Sequence, residues 1–314
     1  MQDIILSNQS IWKGFILLDI ESLLKVTNAE AFALKYAYGR ALAAQVKKRV
    51  HYPYKSVSVI IASRLQRDPT GRLWLERALG SIFCQSVRSN LDIEIIVGVD
   101  EDAEVPENRN IKVVKSEGKS QAHALNAAVS VAQGEVLAFL EDDDVWHAKR
   151  LDEGLIALGG FDFVSSNQLE YIVDVNALRL YQNINDYATP SGWMLKRDLF
   201  NKIGPFDVSY KYHLDTEWLG RLNRFGATRC HMVEKGCLAS SSDMIVRHRT
   251  KLAVIMYQSA IGSCLWNSYE DNPLVYRALH PESGMGQIAN NMEAAIQSQN
   301  EHRRIKEVNK TNVW

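Results

Sequence analysis

The stretch Phe139-Leu140-Glu141-Asp142-Asp143-Asp144-Val145-Trp146 carries four consecutive acids at the end of a short apolar run. The apolar run, residues 136–140, predicts a buried strand that ends where the acids begin. Four adjacent carboxylates repel one another, so ionising them together disfavours folding unless a cation or solvent takes up the charge. Because open α/β sheets bind ligands just beyond the ends of their strands, the acids predict a divalent metal that carries a phosphate-bearing substrate. A solvated acidic turn between a strand and a helix is the alternative.

The segments before the acidic run alternate between strand and helix patterns. Apolar, β-branched runs predict strands at residues 57–61, 93–99 and 111–114. Apolar side chains at helical spacing predict helices over residues 75–82 and 120–131. The resulting β-α-β-β-α-β order predicts an α/β fold, in which helices sandwich a mostly parallel, Rossmann-like sheet.

Two flanking segments complete the predicted organisation around a domain at residues 56–250. Residues 1–55 predict an N-terminal helical extension, because a capping-box pattern at Thr27-Asn28-Ala29-Glu30 precedes an apolar stripe at helical spacing. Residues 251–314 predict a C-terminal helical region followed by a polar tail, because residues 297–312 are almost without apolar side chains.

Composition argues against several classes of protein. A chain of 314 residues that is 46% hydrophobic and 23% charged is typical of a soluble globular protein. The formal net charge of -1 gives no global reason to expect nucleic acid or an anionic membrane as a partner. The run Lys47-Lys48-Arg49 suits a helix C-terminus, with a basic membrane-surface patch as the alternative.

Cysteine usage and hydropathy bear on the compartment. Four scattered cysteines predict packed thiols in a reducing compartment rather than a disulfide framework or a zinc site: Cys84, Cys230, Cys237 and Cys264. No segment has the pattern of a targeting peptide or the length of a membrane span. These features predict a cytoplasmic protein, with the inner face of the membrane as the alternative location.

Six sequence blocks between residues 56 and 250 share their order with one known family. They lie at residues 56–63, 75–86, 94–100, 118–128, 134–146 and 203–219. In this order they resemble the family 2 glycosyltransferases, inverting enzymes of the GT-A fold that use nucleotide-activated sugars. One block alone is a weak signal, whereas the shared order is specific.

The resemblance implies roles for three of the four acids. Glu141-Asp142-Asp143 occupies the position of the family's Asp-x-Asp motif, with glutamate where aspartate is more usual. Asp143 is then expected to ligate Mg²⁺ or Mn²⁺ directly, while Glu141 and Asp142 share the metal's outer contacts and the ribose hydroxyls. Hard carboxylate oxygens suit such a cation, which neutralises charge as a nucleoside diphosphate departs.

The resemblance also implies residues that contact the nucleotide. Asp100 ends the second predicted strand and is expected to accept a hydrogen bond from the nucleobase. A turn-capping aspartate is the alternative, and its two acidic neighbours are rival candidates. Ala62 and Ser63 are expected to contact base and ribose through backbone groups. Lys119 is expected to meet phosphate or base, with a solvated lysine as the alternative.

A second carboxylate is implied on the acceptor side. Asp215 aligns with the family's catalytic base, because inversion requires in-line attack and proton removal opposite the leaving diphosphate. A first-turn or N-cap acid is the alternative, and His213 replaces the usual glutamate nearby. Gly192 and Trp193 resemble the loop that lines the acceptor side, where an indole could stack on a sugar. A plain core tryptophan is the alternative.

A late basic motif is the last point of resemblance. Arg247-His248-Arg249 resembles the family segment in which a histidine completes the metal sphere and an arginine meets the diphosphate. His248 is therefore an expected metal ligand and Arg247 an expected phosphate contact. Solvated surface arginines are the alternative.

These features together predict a metal-assisted, inverting glycosyltransferase with Asp215 as general base. The expected donor is a nucleoside-diphosphate sugar, UDP-linked in the first instance, and the acceptor is a glycan, a lipid-linked or a small-molecule hydroxyl. Nucleic acid is not an expected partner, whereas peripheral membrane contact and oligomers are left open. Polysaccharide biosynthesis is the common family context. A sugar nucleotidyltransferase and a non-catalytic nucleotide-sugar-binding module are the alternatives, although residues 63–67 lack the glycines of the former's phosphate loop.

Overall fold

The computed structural model describes residues 52–85, 91–103, 111–173, 177–181, 189–234, 252–257 and 274–309. Numbered along these residues, the strands are β1 (Ser56–Ser63), β2 (Asp92–Val99), β3 (Lys112–Lys115), β4 (Val136–Glu141), β5 (Val145–Trp146), β6 (Phe163–Ser166), β7 (Gln168–Ile172), β8 (Ala177–Tyr181), β9 (Met194–Lys196), β10 (Arg229–Glu234), β11 (Leu252–Tyr257) and β12 (Val275–Leu279). The helices are α1 (Trp74–Phe83), α2 (Gln121–Ser130), α3 (Arg150–Leu158), α4 (Arg197–Ile203), α5 (Leu214–Phe225), α6 (Gly284–Asn290) and α7 (Met292–Asn309), with a 3₁₀ turn at Pro190–Gly192.

An eight-stranded sheet with the order β11-β10-β6-β9-β4-β1-β2-β3 forms the centre of the fold. Its pairings are parallel except those of β9, which runs antiparallel to β4 and β6. One face of the sheet packs in a hydrophobic cluster with residues of α1 and α3, and the other with residues of α2 and α5. The prediction of a mostly parallel sheet between helices is confirmed.

Central strand β1 shows why the sequence forms this layer. Val57, Val59 and Ile61 belong to one cluster, while Ile60 belongs to the other. A strand buried on both faces needs apolar residues at successive positions, and β1 supplies them. Helix α2 lies close to β2 because Gly98 has no side chain: a Cβ there would lie 2.0 Å from the carbonyl oxygen of Ala124. This approach brings the first turn of α2 to the ends of the strands.

A second, four-stranded sheet begins directly after the acidic turn, in the order β5-β12-β7-β8. Strand β5 pairs antiparallel with β12, through Trp146 opposite Val275 and Val145 opposite Tyr276. Strand β12 runs parallel to β7, which pairs antiparallel with β8. The short strand after the acids therefore brings a segment from far along the chain to the acidic turn.

The structure differs from the predicted helical region and polar tail after residue 250. Strands β11 and β12 lie in this region, and they pair with β10 and β7 from the predicted central domain. Much of the predicted tail is helix α7. The buried positions of α7 include Ala294, Ser298, Glu301 and Ile305. Two of these four are polar, so an apolar pattern does not reveal the packed face of the helix.

Other predictions fall partly or wholly outside the described residues. The helical extension at residues 1–55 is described only from residue 52 onward, and its helices stay a prediction. Neither Cys84 nor Cys230 forms a disulfide bond in the part of the chain that the structure describes. Within the described residues, no helix combines the length and the apolar character that crossing a membrane requires.

Asp162 links two elements at the edge of the sheet and provides a pH test of the fold. Lys196 Nζ lies 2.8 Å from its Oδ1, and its Oδ2 accepts hydrogen bonds from the Thr228 N–H at 3.0 Å and the Thr228 hydroxyl at 2.7 Å. Partial burial alone would raise the pKa of Asp162, but these hydrogen bonds lower it to about 2. The stabilisation is therefore present above the unfolded-state pKa of about 4, and is lost as the pH falls towards 2.

We expect Asp162→Asn to lower the free energy of unfolding by about 1 kcal/mol at pH 7, since solvent screens this partly exposed pair. The difference from the wild-type protein should shrink between pH 4 and pH 2. Urea denaturation at pH 7 and pH 3 measures both values. A difference that is the same at the two pH values would contradict the linkage.

Candidate functional site

The four acids after β4 do not share one environment. Asp144 is buried, where Ser191 Oγ donates to its Oδ2 at 2.5 Å and the Ala278 N–H donates to its Oδ1 at 3.0 Å. Burial, together with the neighbouring Asp143, raises the pKa of Asp144 above its usual value. Asp144 therefore ties the acidic turn to the 3₁₀ turn and to β12, and faces the protein interior.

The other three acids, Glu141, Asp142 and Asp143, line an open cleft. One wall of this cleft lies at the carboxyl ends of β1 and β2 and at the start of α2, and comprises Ala62, Ser63, Asp100, Lys119, Ser120 and Gln121. The other wall comes from the loop before α5 and from residues after β12, and includes Lys211, Tyr212, His280, Glu282, Ser283 and Gln287. The cleft brings together five residues that the sequence assigned to the nucleotide: Ala62, Ser63, Asp100, Lys119 and Asp142.

Hydrogen bonds orient two of these acids without neutralising them. Gln121 Nε2 donates to Glu141 Oε1 at 2.7 Å, and Ser63 Oγ donates to Asp142 Oδ2 at 2.5 Å. Burial, together with the Asp143 carboxylate, raises the pKa of Glu141 and of Asp142, each to about 7. Near neutral pH this cluster therefore favours the arrival of a proton or a cation.

Lys119 is held at the surface of the cleft by an ion pair. Its Nζ lies 2.5 Å from Asp102 Oδ2, and both side chains are about two-thirds exposed. An exposed pair of this kind contributes little to stability and is easily exchanged for another anion. The side chain of Lys119 can therefore turn towards a ligand in the cleft at small cost.

His280 is the site residue that the sequence did not reveal. It follows β12, and its Nε2 lies 3.1 Å from Asp143 Oδ2. Its ring stacks on Trp74, with centroids 4.9 Å apart and planes inclined by 19°. Burial alone would lower the pKa of His280, but the hydrogen bond and charge of Asp143 raise it above its ordinary value. The stacking and the hydrogen bond together fix the imidazole beside the acidic turn.

Asp143 and His280 fit a divalent cation as a partial ligand set. Two ligands at right angles, each about 2.1 Å from a small cation, lie about 3 Å apart. The separation of Asp143 Oδ2 and His280 Nε2 is 3.1 Å. Among the described residues no group of three or more His, Cys, Asp or Glu side chains is arranged to hold a metal. Mg²⁺ commonly takes one or two protein ligands and completes its shell with water and substrate phosphate, so two ligands suffice for that mode.

Asp215 lies in the first turn of α5, beyond the acidic cluster. Its Oδ1 accepts a hydrogen bond from the Thr216 N–H at 2.6 Å. Burial raises the pKa of Asp215, and hydrogen bonds from Thr216 and the charges of His213 and Arg277 partly offset this shift. The charge of Asp215 also contributes to the raised pKa of Glu141, after the larger effects of burial and Asp143. The two carboxylates therefore act on one another across the inner end of the site.

The predicted acceptor-side contacts of Trp193 and Gly192 do not fit the structure. The Trp193 side chain is 0% exposed and lies among aromatic rings, 5.4 Å from Phe163 and 5.6 Å from Trp218 between centroids. The buried Gly192 carbonyl accepts a hydrogen bond from Arg150 Nη2 at 2.8 Å. The indole belongs to the core because it packs between Phe163 of β6 and Trp218 of α5, so it cannot stack on a sugar.

Two predicted site residues, Arg247 and His248, lie outside the described residues. Their expected contacts with diphosphate and metal stay predictions. His280 stands beside Asp143, which is where the resemblance expected His248. The two histidines are therefore rival ligands that experiment can separate.

Comparisons with known sequences find similarity to glycosyltransferases. The sequence model described as glycosyl transferase family 2 matches residues 58–213. An uncharacterized glycosyltransferase of Nostoc sp. (strain PCC 7120) is 30% identical over 142 residues, which cover 41% of this chain and 41% of that protein. The matched part of this chain thus spans about two-fifths of the relative's length.

Solved structures of S. aureus TarS also share similarity with the chain. One superposes with a TM-score of 0.47 at 14% identity, over 78% of this chain and 42% of TarS. TarS residues 1–349 in complex with UDP superpose with a TM-score of 0.46 at 15% identity, over 78% of this chain and 69% of that one.

Proposed function

Because residues 58–213 form a glycosyl transferase family 2 domain, we propose that the chain transfers a sugar from a nucleoside-diphosphate sugar to an acceptor hydroxyl. The proposed transfer inverts the anomeric centre and is assisted by a divalent cation. One observation carries the proposal. The Asp143–His280 pair lines the cleft together with Asp100 and Ser63, and with Lys211 and Tyr212 of the loop before α5. UDP-linked sugars are the first donors to test.

Asp143 and His280 are the residues proposed to hold Mn²⁺ or Mg²⁺. When bound, the cation would neutralise charge on the departing nucleoside diphosphate. The raised pKa values of Glu141 and Asp142 support a cation at this point, because a positive charge relieves the repulsion among the three acids. Stacking on Trp74 keeps the His280 ring from rotating away.

The nucleotide is proposed to lie along the strand ends. Asp100 would accept a hydrogen bond from an N–H of the base. Ser63 Oγ fixes one oxygen of Asp142, so that the other oxygen stays free to accept from a ribose hydroxyl. Lys119 would exchange its surface partner Asp102 for phosphate or base. All these groups lie at one edge of a mainly parallel sheet, the usual ligand position in such folds.

Asp215 is proposed as the general base. In the transfer step the acceptor oxygen bonds to the anomeric carbon while the bond from that carbon to the diphosphate breaks on the opposite face. The acceptor proton passes to the Asp215 carboxylate. Burial raises the pKa of Asp215 from its ordinary value towards the range in which a carboxylate accepts a proton effectively.

Calorimetric titration of UDP in the presence and absence of Mn²⁺ tests the proposal. We expect UDP to bind at least about 10-fold more tightly with Mn²⁺, because a cation held by Asp143 and His280 would neutralise charge on the diphosphate. If no nucleoside diphosphate binds in a metal-dependent way, the proposal is wrong. A screen of UDP-sugars, followed by UDP release, then identifies the donor.

A pair of histidine variants decides which ring helps to hold the metal. We expect His280→Ala to weaken Mn²⁺-dependent UDP binding about 10- to 100-fold, because it removes the ring fixed beside Asp143. His248→Ala is the matched variant and should leave that affinity within about twofold of the wild-type value. Calorimetry on both variants measures this, and the reverse pattern would assign the role to His248.

A further inference from the structure

Helix α7 holds the loop that precedes α5 by three side chains at one-turn spacing. Ser298 Oγ lies 2.8 Å from His213 Nε2. Glu301 follows one turn later and contacts the same loop. Arg304 follows after another turn, and its Nε donates to Tyr210 Oη at 2.7 Å. Residues three apart on a helix share a face, so α7 presents one continuous polar face to this loop.

Glu301 forms the centre of this contact. Only 5% of Glu301 is exposed. Its Oε1 accepts from the Lys211 N–H at 2.9 Å, and its Oε2 accepts from the N–H groups of Tyr212 at 2.9 Å and His213 at 3.1 Å. Gln297 Nε2 also donates to Oε1 at 3.0 Å. A buried carboxylate bound by successive backbone amides fixes the path of the chain, because those N–H groups cannot move without leaving the charge unpaired.

The loop held by Glu301 connects the cleft to the proposed base. Lys211 and Tyr212 line the cleft. His213 is the N-cap of α5, and its carbonyl accepts the Glu217 N–H at 3.0 Å. Asp215 lies in the first turn that follows. The position of the N-cap sets the direction of that first turn, so a shift of the loop would move Asp215 relative to Glu141 and Asp143.

We propose that Glu301 is a positioning residue for sugar transfer. It fixes the start of α5, so that Asp215 and the cleft-lining loop keep their positions relative to the acidic turn. The inference rests on the proposed function and assigns a role to the C-terminal helix. Glu301 contacts backbone amides rather than substrate, and it acts through the loop that it binds.

The variant Glu301→Gln tests this role while keeping the size of the side chain. The amide replaces one accepting oxygen with an NH₂ group, which cannot accept from a backbone N–H. Glu307→Gln, at an exposed position of the same helix, is the matched control. The readout is UDP release from the UDP-sugar found in the donor screen, divided by the number of UDP-binding sites counted by calorimetry. We expect turnover per site to fall about 10-fold or more in Glu301→Gln, with UDP affinity within twofold and the control unchanged.

Counting binding sites separates positioning from stability. If Glu301 only stabilises the fold, Glu301→Gln lowers the number of UDP-binding sites but leaves turnover per site unchanged, and the positioning role is overturned. Amide hydrogen exchange at residues 211–213 should accelerate in Glu301→Gln but not in the control, and equal exchange would also overturn it. If the wild-type protein turns over no UDP-sugar, the proposed function fails and the positioning role falls with it. That result differs from unchanged turnover per site in an active wild-type protein.

Discussion

We expect Asp143→Asn to lower kcat/KM about 100-fold or more, and to abolish the dependence of UDP binding on Mn²⁺. Asp143 is the acid that contacts His280, and its charge raises the pKa of both Glu141 and Asp142. The amide keeps the shape of the side chain but removes the charge that attracts a divalent cation. Steady-state kinetics together with calorimetry of UDP binding, with and without Mn²⁺, measures both effects.

Two further aspartate variants control for the loss of a carboxylate. Asp92→Asn changes an exposed acid at the opposite end of β2 and should leave turnover unchanged. Asp144→Asn removes a buried charge that binds Ser191 and the Ala278 N–H. Its main effect should therefore be a lower free energy of unfolding. Metal-dependent UDP binding that survives in Asp143→Asn at wild-type strength would remove Asp143 from the proposed metal site.

We expect Asp215→Asn to lower kcat by about 10²- to 10⁴-fold, the usual contribution of a general base. UDP affinity should stay within about twofold of the wild-type value, because Asp215 lies at the start of α5 and not among the cleft residues proposed to contact the nucleotide, such as Ser63 and Asp100. Measuring kcat and UDP affinity on the same preparation separates loss of chemistry from loss of binding. Comparing this variant with the wild-type protein also distinguishes an enzyme from a binding module. An enzyme loses turnover in the variant and keeps donor binding, whereas a module binds donor but shows no turnover even as the wild-type protein with any acceptor.

Glu217→Gln is the matched control for Asp215→Asn, two residues along the same helix. The Glu217 carboxylate forms an ion pair with Arg221, a residue of the same helix, with Oε2 2.8 Å from Nη2. Turnover should remain near the wild-type level in this variant. Full turnover in Asp215→Asn would place the base elsewhere and would also remove the basis for a positioning role of Glu301.

The central sheet could be predicted from sequence because its strands are buried on both faces. Apolar residues follow one another without a break at residues 59–62 of β1 and 136–140 of β4, and only a strand or a fully buried helix explains such short runs. Four acids at the end of β4 then mark the edge of the sheet at which ligands bind. The positions of Ala62, Ser63 and Asp100 follow from the same rule, because parallel strands end at one edge.

The residues that the sequence missed depend on contacts between distant segments. His280 meets Asp143 across 137 residues, and the pairing of β12 with β5 helps to bring them together. No local pattern at residue 280 reports that pairing. Helix α7 escaped prediction for a different reason, because its packed face is half polar and its central contact is the carboxylate of Glu301.

Trp193 shows the limit of a resemblance at a single residue. The sequence could not decide between an indole on a sugar and an indole in the core, because both suit a large aromatic residue beside a strand. The structure places the ring between Phe163 of β6 and Trp218 of α5, and these contacts join segments that lie apart in the sequence. Contacts with the proposed acceptor would therefore have to come from other residues of the cleft, such as Lys211 and Tyr212 in the loop before α5.

A crystal of the wild-type protein grown with UDP and Mn²⁺ tests the metal-bound site most directly, through the anomalous signal of manganese. We expect one manganese peak within about 2.0–2.4 Å of an Asp143 carboxylate oxygen and of His280 Nε2, and in contact with the diphosphate. A diphosphate bound in the cleft without manganese, or manganese bound away from Asp143, would contradict the proposed function.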